Sequence, residues 1–172
     1  MRKKLLKPDD HLLKQASKEV DLRKQSLTEI KEIITELSEV LKTIEEGVAL
    51  SACQIGIMLR IFIIKGKFFP EINNGQDQAF INPTIVKTSK KTKLCEEGCL
   101  SIPLNFGLVR RADKITIKAL DQLGKEKTWN SEGLLAQVFQ HEIDHLNGIL
   151  FIDRAEKVWQ IDPIKLKNEK RN

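Results

Sequence analysis

Leu27, Ile30, Ile33, Ile34, Leu37, Val40, Leu41 and Ile44 recur at three- and four-residue steps, which puts them on one stripe of an α-helix. Ser26 stands in front of the stripe and Glu29 three positions later, the spacing of a capping box in which each residue satisfies a backbone N–H of the other. Gly47 is the expected stop. The period then changes. Residues 61–64 form a continuous run of β-favouring side chains, and 79–86 predict a second strand, interrupted or delimited by Pro83, which has no N–H for a ladder. Polar residues 73–77 follow Phe68-Phe69-Pro70 as an exposed turn, and the Lys-rich stretch 87–93 predicts a solvated hairpin or loop. Within 109–120, Ile115, Ile117 and Ala119 alternate as a half-buried strand requires; 121–124 is a turn and 125–129 a return strand.

A second helix is expected after Ser131, its candidate N-cap, ending near Gly148. Leu134, Val138, His141 and His145 follow steps of four, three and four, one inward stripe that begins apolar and ends in two imidazoles. A short helix over 155–161 and a polar tail from about 165 complete the reading. A helix, several strands and a buried helix, with no regular β-α-β alternation, predict an α+β fold. At 172 residues, without an internal repeat or boundary, the chain reads as one domain over 1–172.

Composition narrows the function. Hydrophobic residues are 41% of the chain and charged residues 31%, enough for a sizeable core under a soluble surface. The net charge of +5 is spread among alternating basic and acidic residues, without a zinc-finger cysteine pattern, an RNA-binding aromatic motif or a long basic helix. No dedicated nucleic-acid partner is expected. Residues 1–10 lack the apolar core of a signal peptide, and Arg60, Lys65 and Lys67 break the apolar run 57–69, so no membrane partner is expected either. Cys53, Cys95 and Cys99 are too few for a secreted disulfide framework, which favours a reducing cytoplasm.

The chemistry sits in His141-Glu142-Ile143-Asp144-His145. Imidazoles four residues apart on a helix project toward one ion. Glu142 stands beside the first of them, placed to act as base and then as acid. Cys99, in the tight segment Glu97-Gly98-Cys99-Leu100-Ser101, supplies a thiolate as third ligand. Packing is the competing explanation for each residue. Two unpartnered imidazoles on a core-facing stripe would be unfavourable, however, and a purely structural metal takes four protein ligands and has no use for Glu142. Three ligands with room for water predict a metal-dependent amide hydrolase. Cys53 and Cys95 read as packing residues, and the small side chains of 47–54 permit a close backbone approach.

Three segments in this order resemble the peptide deformylase family: 47–54, its glycine-alanine-glutamine segment; 97–101, written EGCLS; and 140–148, which contains QHExDH. The likeness runs from about 6 to 153. It implies antiparallel or mixed sheets around a central metal-binding helix. Cys99, His141 and His145 would hold Fe2+, replaceable by Zn2+, Ni2+ or Co2+. Glu142 would be the acid-base residue, with Gln54 and the Leu100 backbone N–H stabilising the developing oxyanion. The implied substrates are N-formylmethionyl nascent peptides, hydrolysed to formate and a free methionyl amine. The peptide would lie extended along Val48, Ala49 and the Gly98 region, with its methionine among Val48, Cys95, Leu134, Gln137 and Val138. Helical periodicity independently puts Leu134 and Val138 on the His141 face. Arg111 would pair with Asp144, the protein would be monomeric, and its basic surface would allow a transient ribosome contact. Four positions depart from the family's usual residues. Ala49 stands for glycine, Ser51 for alanine with a hydroxyl that needs a partner, Phe106 for arginine, and Gln137 for an apolar residue. A general metallopeptidase and a non-catalytic deformylase-like scaffold are the alternatives.

Overall fold

The capping box forms as the sequence predicts. In the computed structural model, which describes residues 4–162, Ser26 Oγ accepts from the Glu29 N–H at 3.2 Å and Glu29 Oε2 from the Ser26 N–H at 2.7 Å. Helix α1 (Leu27–Lys42) ends at Thr43, and a turn carries the chain to Gly47. The remaining elements are β1 (Ala49–Ser51), β2 (Ile61–Ile64), α2 (Pro70–Asn73), β3 (Gln78–Thr88), β4 (Thr92–Cys99), β5 (Ile102–Ala112), β6 (Lys114–Leu120), β7 (Glu126–Glu132), α3 (Gly133–Leu146), α4 (Phe151–Arg154) and β8 (Lys157–Gln160). The polar tail from about 165 lies outside the described residues.

The strands form two antiparallel sheets, ordered β1-β2-β3-β6-β7 and β4-β5-β8. The unbroken apolar run of β2 follows from its position. Ile61 and Ile63 face α1 in a core with Ile30, Leu37 and Leu41, whereas Phe62 and Ile64 face α3 in a core with Phe139, Ile143 and Leu146. A strand covered on both faces loses the polar alternation of a half-solvated one. Phe80 locks the α3 side, stacking on Phe62 at 4.8 Å and meeting Phe139 edge-on at 5.0 Å.

Several predicted boundaries differ. Strand β3 runs through Pro83 because the ladder shifts register between Ile81 and Thr84, beside Asn82 at φ 51°; a bulge needs no N–H at the proline. Of residues 87–93, 89–91 form the expected loop and the rest extend β3 and β4; the loop is not a hairpin, since those strands belong to different sheets. The segment 109–120 is two strands, parted at Asp113. Ser131 is a β7 residue whose hydroxyl donates to the Ile115 carbonyl at 3.1 Å, so it does not cap α3; Glu132 is the N-cap, and Gly133 at φ 62° makes the turn. In place of a helix over 155–161 the chain forms α4 earlier and then β8, which satisfies the free edge of β5 from Asn105 to Leu108. No helix among the described residues is long and apolar enough to cross a membrane.

Candidate metal centre

Helix α3 lies between the large sheet and a cleft, and its two faces differ accordingly. Leu135, Phe139, Ile143 and Leu146 bury into the sheet. Leu134, Val138 and His141 sit one step round and line a cleft of about 730 Å³, with Leu134 58% exposed at its rim. The stripe read as inward therefore faces the cleft rather than the main core. Opposite α3, a tight turn at Leu100-Ser101 joins β4 to β5, and a register shift between Gly98 and Cys99 re-aims the cysteine.

Cys99, His141 and His145 offer ligand atoms that all lie within 4.8 Å of one another. Cys99 Sγ is 3.2 Å from His145 Nε2. His141 Nδ1 is 2.9 Å from Glu97 Oε2, an anchor that sets the ring and leaves its other nitrogen for an ion. His145 Nδ1 is buried without a hydrogen-bond partner. Burial, then the positive charges of His141 and Arg111, hold the His145 pKa well below its ordinary value, which favours the neutral ring, the form whose one unprotonated nitrogen can ligate. His141 moves the other way: burial opposes its charge, but hydrogen bonds with Cys99 and Glu97 outweigh burial. One thiolate and two imidazoles, the mixed donor set of first-row divalent metals, fit such an ion here.

Around this cluster stand the predicted catalytic residues. Gln54, in the 3-10 turn Ala52–Ile55 that follows β1, is buried; its Oε1 accepts from the Ser51 N–H at 2.9 Å. A backbone N–H can only donate, which fixes the amide flip. Nε2 therefore points to Ser101 Oγ at 3.1 Å and Cys99 Sγ at 3.5 Å. Burial raises the pKa of Glu142, against the opposing pull of His141 and of the Ser51 hydrogen bond.

Val48, Ala49, Gly98, Leu100, Gln137 and Val138 all reach the cleft. Cys95 does not. It is buried on the inner face of β4, and the neighbouring Glu96 and Glu97 line the cleft instead. Gln137 Nε2 donates to the Glu96 carbonyl at 2.7 Å, so the amide that breaks the apolar wall ties α3 to β4. Ala49 lies in extended strand backbone paired with Ile64, so its Cβ carries no left-handed strain. Phe106 stacks on Trp159 at 6.5 Å at the cleft mouth. Burial pushes the Cys53 thiol up to about 12, in keeping with a packing role.

The largest residue missed in the sequence is Glu97. It accepts from Arg111 Nε at 2.7 Å and Nη2 at 2.9 Å, while Arg111 Nη1 donates to Asp144 Oδ2 at 2.6 Å. The expected Arg111–Asp144 pair is thus half of a buried bridge that runs through Glu97 to His141. Its signal was present, two residues before Cys99 on a strand, but a carboxylate between glycine and glutamate reads as surface. Burial alone would raise the Glu97 pKa; hydrogen bonds from Arg111 and His141 outweigh it and hold the group at about 2, down from 4.5. A depressed carboxylate contributes stability above its unfolded pKa and loses it as pH falls through the folded one, here between 4.5 and about 2. The metal-free parent should lose on the order of 3 kcal/mol over that window from this group alone. Glu97→Gln should flatten the urea-measured profile there; parallel profiles for the two proteins would refute the bridge.

Together, the antiparallel sheets and the cysteine-histidine cluster beside the cleft define a metal-dependent hydrolase of α+β class. The model of the polypeptide deformylase family matches residues 2–160. The peptide deformylase of Halothermothrix orenii is 40% identical over 153 residues, which are 87% of this chain and 90% of that one. The crystal structure of the Thermotoga maritima peptide deformylase superposes with a TM-score of 0.79 at 34% identity, covering 91% of this chain and 99% of its own. A Met-Ala-Ser-bound peptide deformylase from Acinetobacter baumannii superposes with the same score, 0.79, at 29% identity, covering 90% and 98%. The chain belongs to the polypeptide deformylase family, and its metal-binding cluster carries that family's metal-dependent deformylase activity.

Proposed function

We propose that the chain acts as a single catalytic domain over 1–172 that removes the formyl group from N-formylmethionyl nascent peptides in the cytoplasm, as a monomer, with Fe2+ held by Cys99, His141 and His145. Zn2+, Ni2+ or Co2+ would fill the same ligand set with altered activity. A bound divalent ion supplies a water of lowered pKa and Lewis acidity toward a carbonyl. Glu142 takes the water's proton and returns it to the departing amine of methionine. The Gln54 amide and the Leu100 N–H face the oxygen on which charge develops. The observation that carries this reading is the convergence of Gln54, Glu142, Cys99 and His141 on the lining of one largely apolar cleft, with His145 beside them completing the ligand set.

Among the described residues two edge strands border that cleft, β1 beside Val48 and Ala49 and β4 beside Gly98. An extended peptide lying there can satisfy edge N–H and C=O groups whatever its side chains, which suits a substrate as varied as a new polypeptide. Val48, Leu134, Gln137 and Val138 form the slot for the methionine side chain; a flexible thioether fills an irregular apolar slot well. The excess of basic residues suits a transient ribosome contact.

The test compares formate release from formyl-Met-Ala-Ser and formyl-Asp-Ala-Ser by protein loaded anaerobically with Fe2+, and again with Zn2+. The slot predicts at least about a tenfold preference for methionine, since burying a carboxylate there is unfavourable. Equal turnover of both would overturn the slot. Shortening of an unformylated peptide would instead reveal a metallopeptidase.

A further inference from the structure

The hydroxyl of Ser51 has found its partner in the catalytic machinery. Ser51 Oγ lies 2.6 Å from Glu142 Oε2, with both residues buried. Its other acceptor in reach, the Glu142 carbonyl, is 3.3 Å away. A hydroxyl has one proton to give, and the shorter bond to a carboxylate is the stronger. Among the described residues this is the only hydrogen bond that the Glu142 carboxylate makes. The same residue's N–H fixes the amide of Gln54. Ser51 is itself held by the β1–β2 ladder opposite Phe62, so its hydroxyl is a fixed donor.

We infer that Ser51 is a positioning residue for the deformylation reaction: its hydroxyl tethers Glu142 Oε2 and leaves Oε1 as the oxygen free to take up and return the proton. The inference rests on the assignment of Glu142 as the acid-base residue. A carboxylate's terminal torsion is broad and roughly two-fold, so without the tether the group samples orientations that do not face the reacting water. If the hydroxyl served only to satisfy its own burial, the Glu142 carbonyl would suffice, and turnover would not depend on it.

Ser51→Ala should lower kcat for formyl-Met-Ala-Ser about tenfold with KM and metal content unchanged, and Ser51→Thr, which keeps the hydroxyl in a strand position, should recover most of it. A crystal structure of metal-free Ser51→Ala should show the Glu142 carboxylate in more than one orientation. Unchanged kcat in Ser51→Ala, or a single parent-like Glu142 orientation in that crystal, would overturn the tether. A parent that releases no formate would overturn the proposed function instead, and the crystal would still decide the tether by itself.

Discussion

Glu142→Gln is expected to lower kcat for formate release about a thousandfold while the protein still binds one metal ion per chain. Glutamine keeps the shape of the side chain and an oxygen for the Ser51 hydroxyl, which stands 2.6 Å from the carboxylate. It cannot take a proton. A positioned general base contributes roughly 10²- to 10⁴-fold, and this one would act twice, on the water and on the leaving amine. Burial raises its pKa above the ordinary carboxylate value, the direction that suits a group that must hold a proton before giving it up. The ligands Cys99, His141 and His145 are untouched. Elemental analysis beside initial rates reads both effects in one preparation. A loss of less than about fivefold would move the proton transfer to another group.

Arg111→Leu should be the most damaging change outside the cluster, with an unfolding free energy lower by about 3–5 kcal/mol. The Arg111, Glu97 and Asp144 side chains are 4%, 2% and 9% exposed, so this is no surface pair worth a few tenths. Removal of the guanidinium leaves two buried carboxylates facing each other's field, with Arg154, 2.7 Å from Asp144, and His141, 2.9 Å from Glu97, as their remaining partners. Metal affinity should fall about 10- to 100-fold as well, because Glu97, no longer anchored, ceases to fix His141. Arg111→Lys should rescue little, since an ammonium lacks the fork that grips both Glu97 oxygens and still reaches Asp144. Unfolding midpoints and metal affinity equal to the parent's would refute the supporting role.

What the sequence made legible depended on how local the cause is. Helix α1 was readable to its cap because the stripe and the Ser26–Glu29 box lie within one segment. So was the metal cluster, because α-helical spacing alone aligns His141 with His145, and the EGCLS turn could be read as a third arm. Residues whose role depends on distant partners were misread. Ser131 has the type of an N-cap, but pairing with Ile115 across β6 and β7 keeps it in a strand. β8 forms because the β5 edge is open, which no period in 155–161 reveals. Cys95 and Glu97 share one face of β4, and only the sheet's packing shows that this face is inside. Ser51 was legible as a hydroxyl in need of a partner; that the partner is Glu142, ninety-one positions away, required the fold.

Reaction of formyl-Met-Ala-Ser with the Fe2+-loaded protein in H2¹⁸O, followed by mass analysis of both products, tests the central claim most directly. Hydrolysis of the formyl amide gives formate that carries ¹⁸O and an intact, unlabelled Met-Ala-Ser. Label in a peptide carboxylate with shortening of the chain, or no formate at all from folded, metal-loaded protein, would contradict it.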